Sequence, residues 1–537
     1  MMLRSQDAPF KPKTVPAIRD RLPDPLPLQF VGPPTTAEIT PLDLATRLYK
    51  FADDSMMGRQ AGTPWNDKGT DYIESEVRRL GLVPAGENGT YFQSVLVTRE
   101  LAAGSTLGVD STMLEPWKDF VPRDQGPAAR PVDGATVIYG GIFGDTASYL
   151  PASAAEGKVV VVRVGNGNDG QPNYNVINRP QLNARYGNAA AVAVIYLDYA
   201  PPAFVEANFR HPQVEKRGET AGPALPSYFY ITRDVAQRMF GVSTDSLVTG
   251  MTGKALHGGY AFEEKTAPGR NVIAILPGSD PKLKGQYVAI GAHNDHIGFN
   301  DEPADHDSVK AFMMVAAPQG ADNAEPKLTD STIARIRVVT DSLRALHPSR
   351  PDSIYNGADD DGSGSMSVLE IAEAFANAKV HPKRSILFIW HVGEELGLYG
   401  SAYFTDNPTV PRDSIVAELN MDMVGRGGTG DATGLSKDGE LLHGGKGYLQ
   451  LVGSRRLSTE LGDLVEKVNI DKKLGLNFDY SLDANGHPQN IYCRSDHYEY
   501  ARYGIPIVFF TTGGHADYHQ VTDEPQYIDY SNMAQIA

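Results

Sequence analysis

Five short segments in the C-terminal half of this chain end apolar runs with side chains that ligate metals. They are GAHNDH at 291–296, GADDDGSG at 357–364, GEELGLYGS at 393–401, NMDMVG at 420–425 and HADYHQVTDEP at 515–525. Together they supply two histidines and at least three carboxylates, the donor set of a two-metal hydrolase. Taken singly, an acidic pair after a strand is a solvated loop, because charged side chains are rarely buried without partners. The repetition of one local pattern argues otherwise, since each segment follows an apolar stretch and then turns polar.

Those stretches must position the donors. The runs at 287–290, 386–390, 415–421 and 505–510 are rich in Val, Ile, Leu and Phe. Runs of that composition read as strands covered on both faces, and helices must do the covering. In open α/β sheets ligands collect at the carboxyl ends of the strands, which is where all the candidates fall. The GSGSMSVLEIAEAF stretch places Val368, Ala372 and Phe375 at helical spacing, with glycines before it for close backbone approach. That helix is expected to pin the Asp360 loop onto the sheet.

Composition bounds the partners. At 537 residues the chain is too long for one core, and its 41% hydrophobic content is ordinary for a globular protein. A formal charge of -17, with no long Lys/Arg run, argues against nucleic-acid or anionic-membrane partners. The single cysteine, Cys493, excludes an intrachain disulfide. No apolar run reaches membrane-span length, and residues 1–20 lack the apolar core of a secretory signal, so any signal is expected to be absent or already removed.

Four regions follow. Residues 1–35 carry eight prolines and read as an extended arm. Residues 36–130 open with a helix from Pro41, carrying Leu44, Leu48 and Phe51, and a second from Asp67, with the GRQAGTPWND loop between them. Residues 131–262 alternate short β-like runs with Gly, Asn and Pro clusters and contain no ligand cluster, which marks an inserted β-rich module. Residues 263–537 return to α/β alternation, interrupted by a polar insertion at 301–355 with a helical piece around 333–346. The chain stops at Ala537 inside what reads as a helix, so a terminal helix is expected to be missing.

The order His, Asp, Glu-Glu, Asp, His resembles the co-catalytic dizinc exopeptidases, the group of bacterial leucyl aminopeptidases, glutamate carboxypeptidases and the transferrin receptor. Residues 131–262 are similar to the protease-associated domain that many members carry. The resemblance implies an α/β fold, a three-layer αβα sandwich around a mixed, mostly parallel sheet. It also implies two Zn²⁺ ions, with His293, Glu395, Asp422 and His519 each on one metal and Asp360 bridging. Asp295 matches the carboxylate that orients His293, Glu394 matches the general base, and Tyr492 stands where some members place an oxyanion-stabilising tyrosine. Export to the periplasm or medium is likewise implied by resemblance.

The chemistry of the residues agrees with those roles. Imidazole and carboxylate suit Zn²⁺, and a carboxylate can span ions roughly 3.5–4 Å apart. Adjacent Glu394 and Glu395 cannot point the same way in extended chain, so one can ligate while its neighbour takes a proton from water. His296, His391 and His497 are read as hydrogen-bonding or packing residues, and Asp359 and Asp361 as loop-orienting. His515 competes with His519, and the DYH…TDEP context favours His519. Gly58, Arg59 and Gly62 read as turn chemistry. The reading is a metallo-exopeptidase that removes N-terminal residues from peptides. The alternatives are a carboxypeptidase or dipeptidase, with Arg494 or Arg502 holding the terminal carboxylate, a glutaminyl cyclase, or a receptor-like binding protein without metals.

Overall fold

The structure is a computed structural model and describes residues 22–124, 129–166, 179–210, 214–218, 224–346 and 348–537. The chain divides into two compact units, one built from Met1–Leu96 with Pro268–Ala537 and the other from Val97–Ala267.

The first unit is built on a nine-stranded sheet. Its strands run in the order Val83–Pro84, Arg270–Leu276, Ser385–His391, Tyr287–His293, Ile415–Met421, Ile507–Thr511, Tyr448–Val452 and Asn477–Asp479, with Phe92–Ser94 also pairing to Arg270–Leu276. The four strands from Ser385–His391 to Ile507–Thr511 are parallel, and antiparallel neighbours flank them on each side. Alternate side chains divide between two cores, as the period of a strand requires. Val272, Ala274, Phe388 and Trp390 pack with the helices Pro41–Phe51, Pro64–Arg79 and Gly364–Ala376. Ile273, Leu387 and Ile389 pack against Phe404 and Tyr500 of the helices Tyr399–Asp406 and His497–Ala501. The result is the expected αβα sandwich on a mixed sheet. All seven residues of Ser385–His391 are buried, and large apolar side chains such as Phe388 each contribute roughly 1.5–3 kcal/mol by leaving water.

Local signals set most helix boundaries. Thr40 caps Pro41–Phe51 by accepting from the Asp43 N–H. The second helix begins at Pro64, three residues before the expected Asp67, because proline at the first helical position has no N–H to leave unsatisfied. The first 21 residues of the expected arm lie outside the described residues. From Leu22 to Thr40 there is no helix or strand, and Tyr49 donates to the Pro27 carbonyl while Phe30 packs on the Tyr49 ring.

The second unit carries an eight-stranded sheet whose strands Thr136–Phe143, Val159–Val164, Ala191–Ile195 and Ser227–Ile231 run parallel. The first three are the apolar runs recognised in the sequence. The unit is larger than the expected 131–262 at both ends. Thr106–Val109 and Phe120–Arg123 add to the same sheet, the first beside Thr252–Gly259 and the second beside Ser227–Ile231. These strands are too short to announce themselves as apolar runs, so residues 97–124 leave the expected first catalytic segment and join the insert. The chain enters and leaves this unit by adjacent antiparallel strands, Leu96–Leu101 and Phe262–Thr266.

Candidate metal centre

Four of the five expected ligands sit at, or just past, the carboxyl end of a parallel strand or in the loop that follows it. His293 closes Tyr287–His293, Glu395 follows Ser385–His391, Asp422 follows Ile415–Met421, and His519 lies in the loop after Ile507–Thr511. Asp360 precedes the helix Gly364–Ala376. These side chains form two groups with Asp360 in common: His293, Asp360 and Asp422 in one, and His296, Asp360, Glu395 and His519 in the other. His293 Nε2 lies 3.0 Å from Asp360 Oδ1 and 3.7 Å from Asp422 Oδ1. His519 Nε2 lies 3.0 Å from both Asp360 Oδ2 and Glu395 Oε2.

The donor atoms fit a metal better than they fit one another. His293 Nε2, His519 Nε2, Asp422 Oδ1 and Glu395 Oε1 are all buried without a hydrogen-bond partner. Buried polar atoms in folded proteins are normally paired, so a converging set of orphans is the signature of a ligand. Electrostatics agree. Burial would lower the His519 imidazole, yet Asp360 and Glu395 carry it up to about 10. Burial likewise opposes ionisation of Asp360, but His293 and His519 hold its carboxyl well below the usual range. The pocket therefore favours positive charge.

The flanking residues orient the donors. His293 Nδ1 faces the Asp295 carbonyl at 3.2 Å and its carboxylate Oδ1 at 3.6 Å, on the side of the ring away from Asp360. Ser495 donates to Asp422 Oδ2 at 2.7 Å. Asp359 and Asp361 turn away from the donors and tie the neighbouring loops down. Asp359 accepts from the Gly425 N–H and the Ser363 hydroxyl, and Asp361 accepts from the N–H groups of His293, Gly364 and Met423. A Cβ on Gly364 would fall 2.1 Å from the Met421 carbonyl oxygen, so only glycine lets the helix start this close to the strand. His515 Nε2 lies 3.1 Å from Asp359 Oδ2, outside both donor groups, which leaves the donor position to His519.

Glu394 lines a cavity of 80 Å³ together with Asp360 and Asp422. Burial, reinforced by Asp422 and Glu395 and opposed by His293, pushes its carboxyl well above the ordinary range. Met423, Leu482, Ile491 and Phe509 supply apolar lining. Tyr492 is not among the lining residues. Its ring packs under the Arg456 guanidinium and against His497 and Tyr498. Tyr518 presents a phenol to the cavity instead, beside Asp322 and Arg494. Tyr518 lies inside the 515–525 segment, where its spacing suggested no role beside His519, and Asp322 comes from the 301–355 insertion.

Two further placements escaped the sequence reading. Arg59, read as turn chemistry, is fully buried and donates to the carbonyls of Asn356, Gly357 and Phe51, clamping the start of the Asp360 loop. His296, read as a hydrogen-bonding or packing residue, joins the second donor group. His391 and His497 pack as expected, the first with Nε2 hydrogen-bonded to the Tyr500 hydroxyl at 3.1 Å and the second stacked on Phe509. Burial lowers each to about 3.

Residues 271–537 match peptidase family M28. A leupeptin-inactivating enzyme of Streptomyces exfoliatus is 44% identical over 77 residues, 14% of this chain and 18% of its own length. A probable leucine aminopeptidase of Arthroderma benhamiae is 36% identical over 163 residues, 30% of this chain and 31% of its own. The chain thus spans less than a third of the length of these curated relatives. Among solved structures, the zinc aminopeptidase BSAP of Bacillus subtilis aligns over 94% of both chains at 15% identity, with a TM-score of 0.42.

Proposed function

Because residues 271–537 match peptidase family M28, we propose that this chain is a zinc-dependent aminopeptidase that hydrolyses N-terminal residues from peptides. The observation that carries the direction of cleavage is the state of the two arginines a carboxypeptidase would need. Arg494 lines the cavity, but its two terminal nitrogens are bound by Asp322 at 2.6 and 3.0 Å, and one also donates to the Tyr518 hydroxyl. Arg502 pairs with Asp406 and Glu499 and does not line the cavity. With Arg494 already paired to Asp322, no other lysine or arginine among the described residues lines this cavity to receive a terminal carboxylate.

In this reading two Zn²⁺ ions are held per chain, one by His293 and Asp422, the other by Glu395 and His519, with Asp360 shared. When bound, they supply Lewis-acid polarisation of the scissile carbonyl and acidify the attacking water. The chain's own residues do the rest. Glu394 takes the proton from water as its oxygen bonds to the carbonyl carbon, then delivers that proton to the amine nitrogen as the C–N bond breaks. Asp295 holds the His293 ring. Tyr518, kept protonated by burial and the nearby Asp360, offers a phenol from the cavity wall. The apolar lining receives the side chain of the departing residue.

The inserted unit reads as a protease-associated domain, and export is proposed by resemblance. Among the described residues no helix is long and apolar enough to cross a membrane. Fractionating expressing cells tests the export reading, which retention of the mature chain in the cytosol would reject. The test of direction compares a free-amine peptide with its N-acetylated and C-amidated forms. Hydrolysis should need the free amine and tolerate the amide. Cleavage of the acetylated peptide that requires a free C-terminal carboxylate would replace this reading with a carboxypeptidase.

A further inference from the structure

The group around Glu395 and His519 contains one donor more than the expected pattern supplies. His296 is buried, and its Nδ1 lies 2.7 Å from Glu395 Oε1 and 3.7 Å from Asp360 Oδ2. Despite that approach, neither His296 ring nitrogen has a hydrogen-bond partner, and Glu395 Oε1 has none either. The two atoms are therefore close without one donating toward the other, as happens when both point at a common third centre. The ring is also held in place. Its backbone bridges to Gln60, and Gly357, with a left-handed φ of 55°, passes so close that a Cβ there would lie 2.5 Å from His296 Cγ. His519 meets the ring edge-on at 5.4 Å between centroids.

We propose that His296 is a fourth ligand of the ion held by Asp360, Glu395 and His519. The proposal rests on the dinuclear reading above and deepens it. Four protein donors complete the tetrahedral set of a closed zinc site, whereas His293, Asp360 and Asp422 give the other ion three donors and an open position. The centre is then asymmetric. The ion at His296 is tightly retained, and the ion at His293 is the exchangeable one that faces substrate.

Competition titration of the metal-free full chain with Zn²⁺ against a chromophoric chelator reads this directly. The wild type should fill in two steps, the first much tighter. His296→Ala should weaken the tight step by more than about 10-fold, the minimum expected even for loss of an outer partner, and leave the weaker step unchanged. His296→Asn offers a polar side chain without an imidazole and should not restore the tight step, whereas His296→Cys offers a thiolate and should. With one equivalent of Co²⁺, His296→Cys should also gain a thiolate-to-metal absorption band that the wild type lacks. Equal zinc affinities in the wild type and His296→Ala, or no such band, would overturn the proposal while sparing the two-metal reading. A wild type that binds no zinc would overturn both.

Discussion

Glu394 and Glu395 are neighbours in the chain with opposite surroundings. Glu395 reaches His519 and His296, while Glu394 lines the cavity and its N–H donates to Asp295 Oδ1 at 3.3 Å. The division of labour between them is testable by substitution. Glu394→Gln removes the proton acceptor and leaves the donors in place, so turnover should fall by roughly 10²–10⁴ with zinc content unchanged. Glu395→Ala should lose zinc as well as activity. Elemental analysis and single-substrate kinetics on the two variants decide it, and wild-type turnover in Glu394→Gln would remove Glu394 from the role of base. Tyr492 and Tyr518 separate in the same way. Tyr492→Phe keeps the packing beneath Arg456 and should leave kcat unchanged, whereas Tyr518→Phe takes a hydroxyl out of the cavity and should lower kcat. The reverse pattern would return Tyr492 to the site.

At the scale of elements, the 301–355 insertion behaves as a brace. Its hairpin pairs Phe299–Asp305 with Pro351–Ile354, and Asp305 caps the helix His306–Ala316 by accepting from the Ser308 N–H at 2.9 Å. From that helix Lys310 reaches Asp517 at 2.6 Å, where Arg426 and Thr522 also bind, and His306 and Arg350 hold Glu524. Both acidic residues belong to the loop that carries His519. The N–H of Ala321 adds a bond to the Tyr518 carbonyl at 3.1 Å. Replacing Lys310 with Met should therefore destabilise the fold by about 1–3 kcal/mol, because a buried carboxylate loses one of its charged partners. It should also weaken zinc binding through His519. Denaturant unfolding and zinc titration together test this, and a variant with unchanged midpoint and affinity would reduce the insertion to a surface elaboration. Asp305→Ala should cost roughly 0.5–2 kcal/mol by uncapping the helix, measured in the same unfolding experiment. An unchanged midpoint would show that the cap carries no weight there.

At the scale of the whole molecule, the second unit leaves the chain where it entered. Val97 and Thr266 are register partners on adjacent antiparallel strands, and each unit has its own apolar core. Residues that face each other in such a ladder lie only about 4.5–5.5 Å apart, so a short turn can join the two strands in place of the insert. The chain lacking residues 98–265 should fold cooperatively and keep the zinc stoichiometry of the full protein. Circular dichroism melts and metal analysis test that outcome, and an insoluble or non-cooperative product would show that the first unit depends on the second for its stability.

The candidate donors could be picked out in the sequence because chemistry and topology both act locally there. A parallel strand must be apolar throughout, and its carboxyl end is the first place a polar donor can appear. His293, Asp360, Glu395, Asp422 and His519 were therefore marked by the runs that precede or flank them, and the sandwich followed from the same runs. What the sequence left open depended on distance in space. Asp322 and Arg494 are 172 residues apart and meet only because the insertion folds back onto the cavity. Arg59 finds its carbonyls 297 and 298 residues away. The limits of the second unit hid in strands of three or four residues, too short to show a period. His296 sat inside a recognised motif, yet its spacing could not say whether the ring packs, hydrogen-bonds or ligates. Its proposed place on the metal rests on the convergence of four donor side chains from distant segments, because coordination is set by where side chains meet and not by their order along the chain.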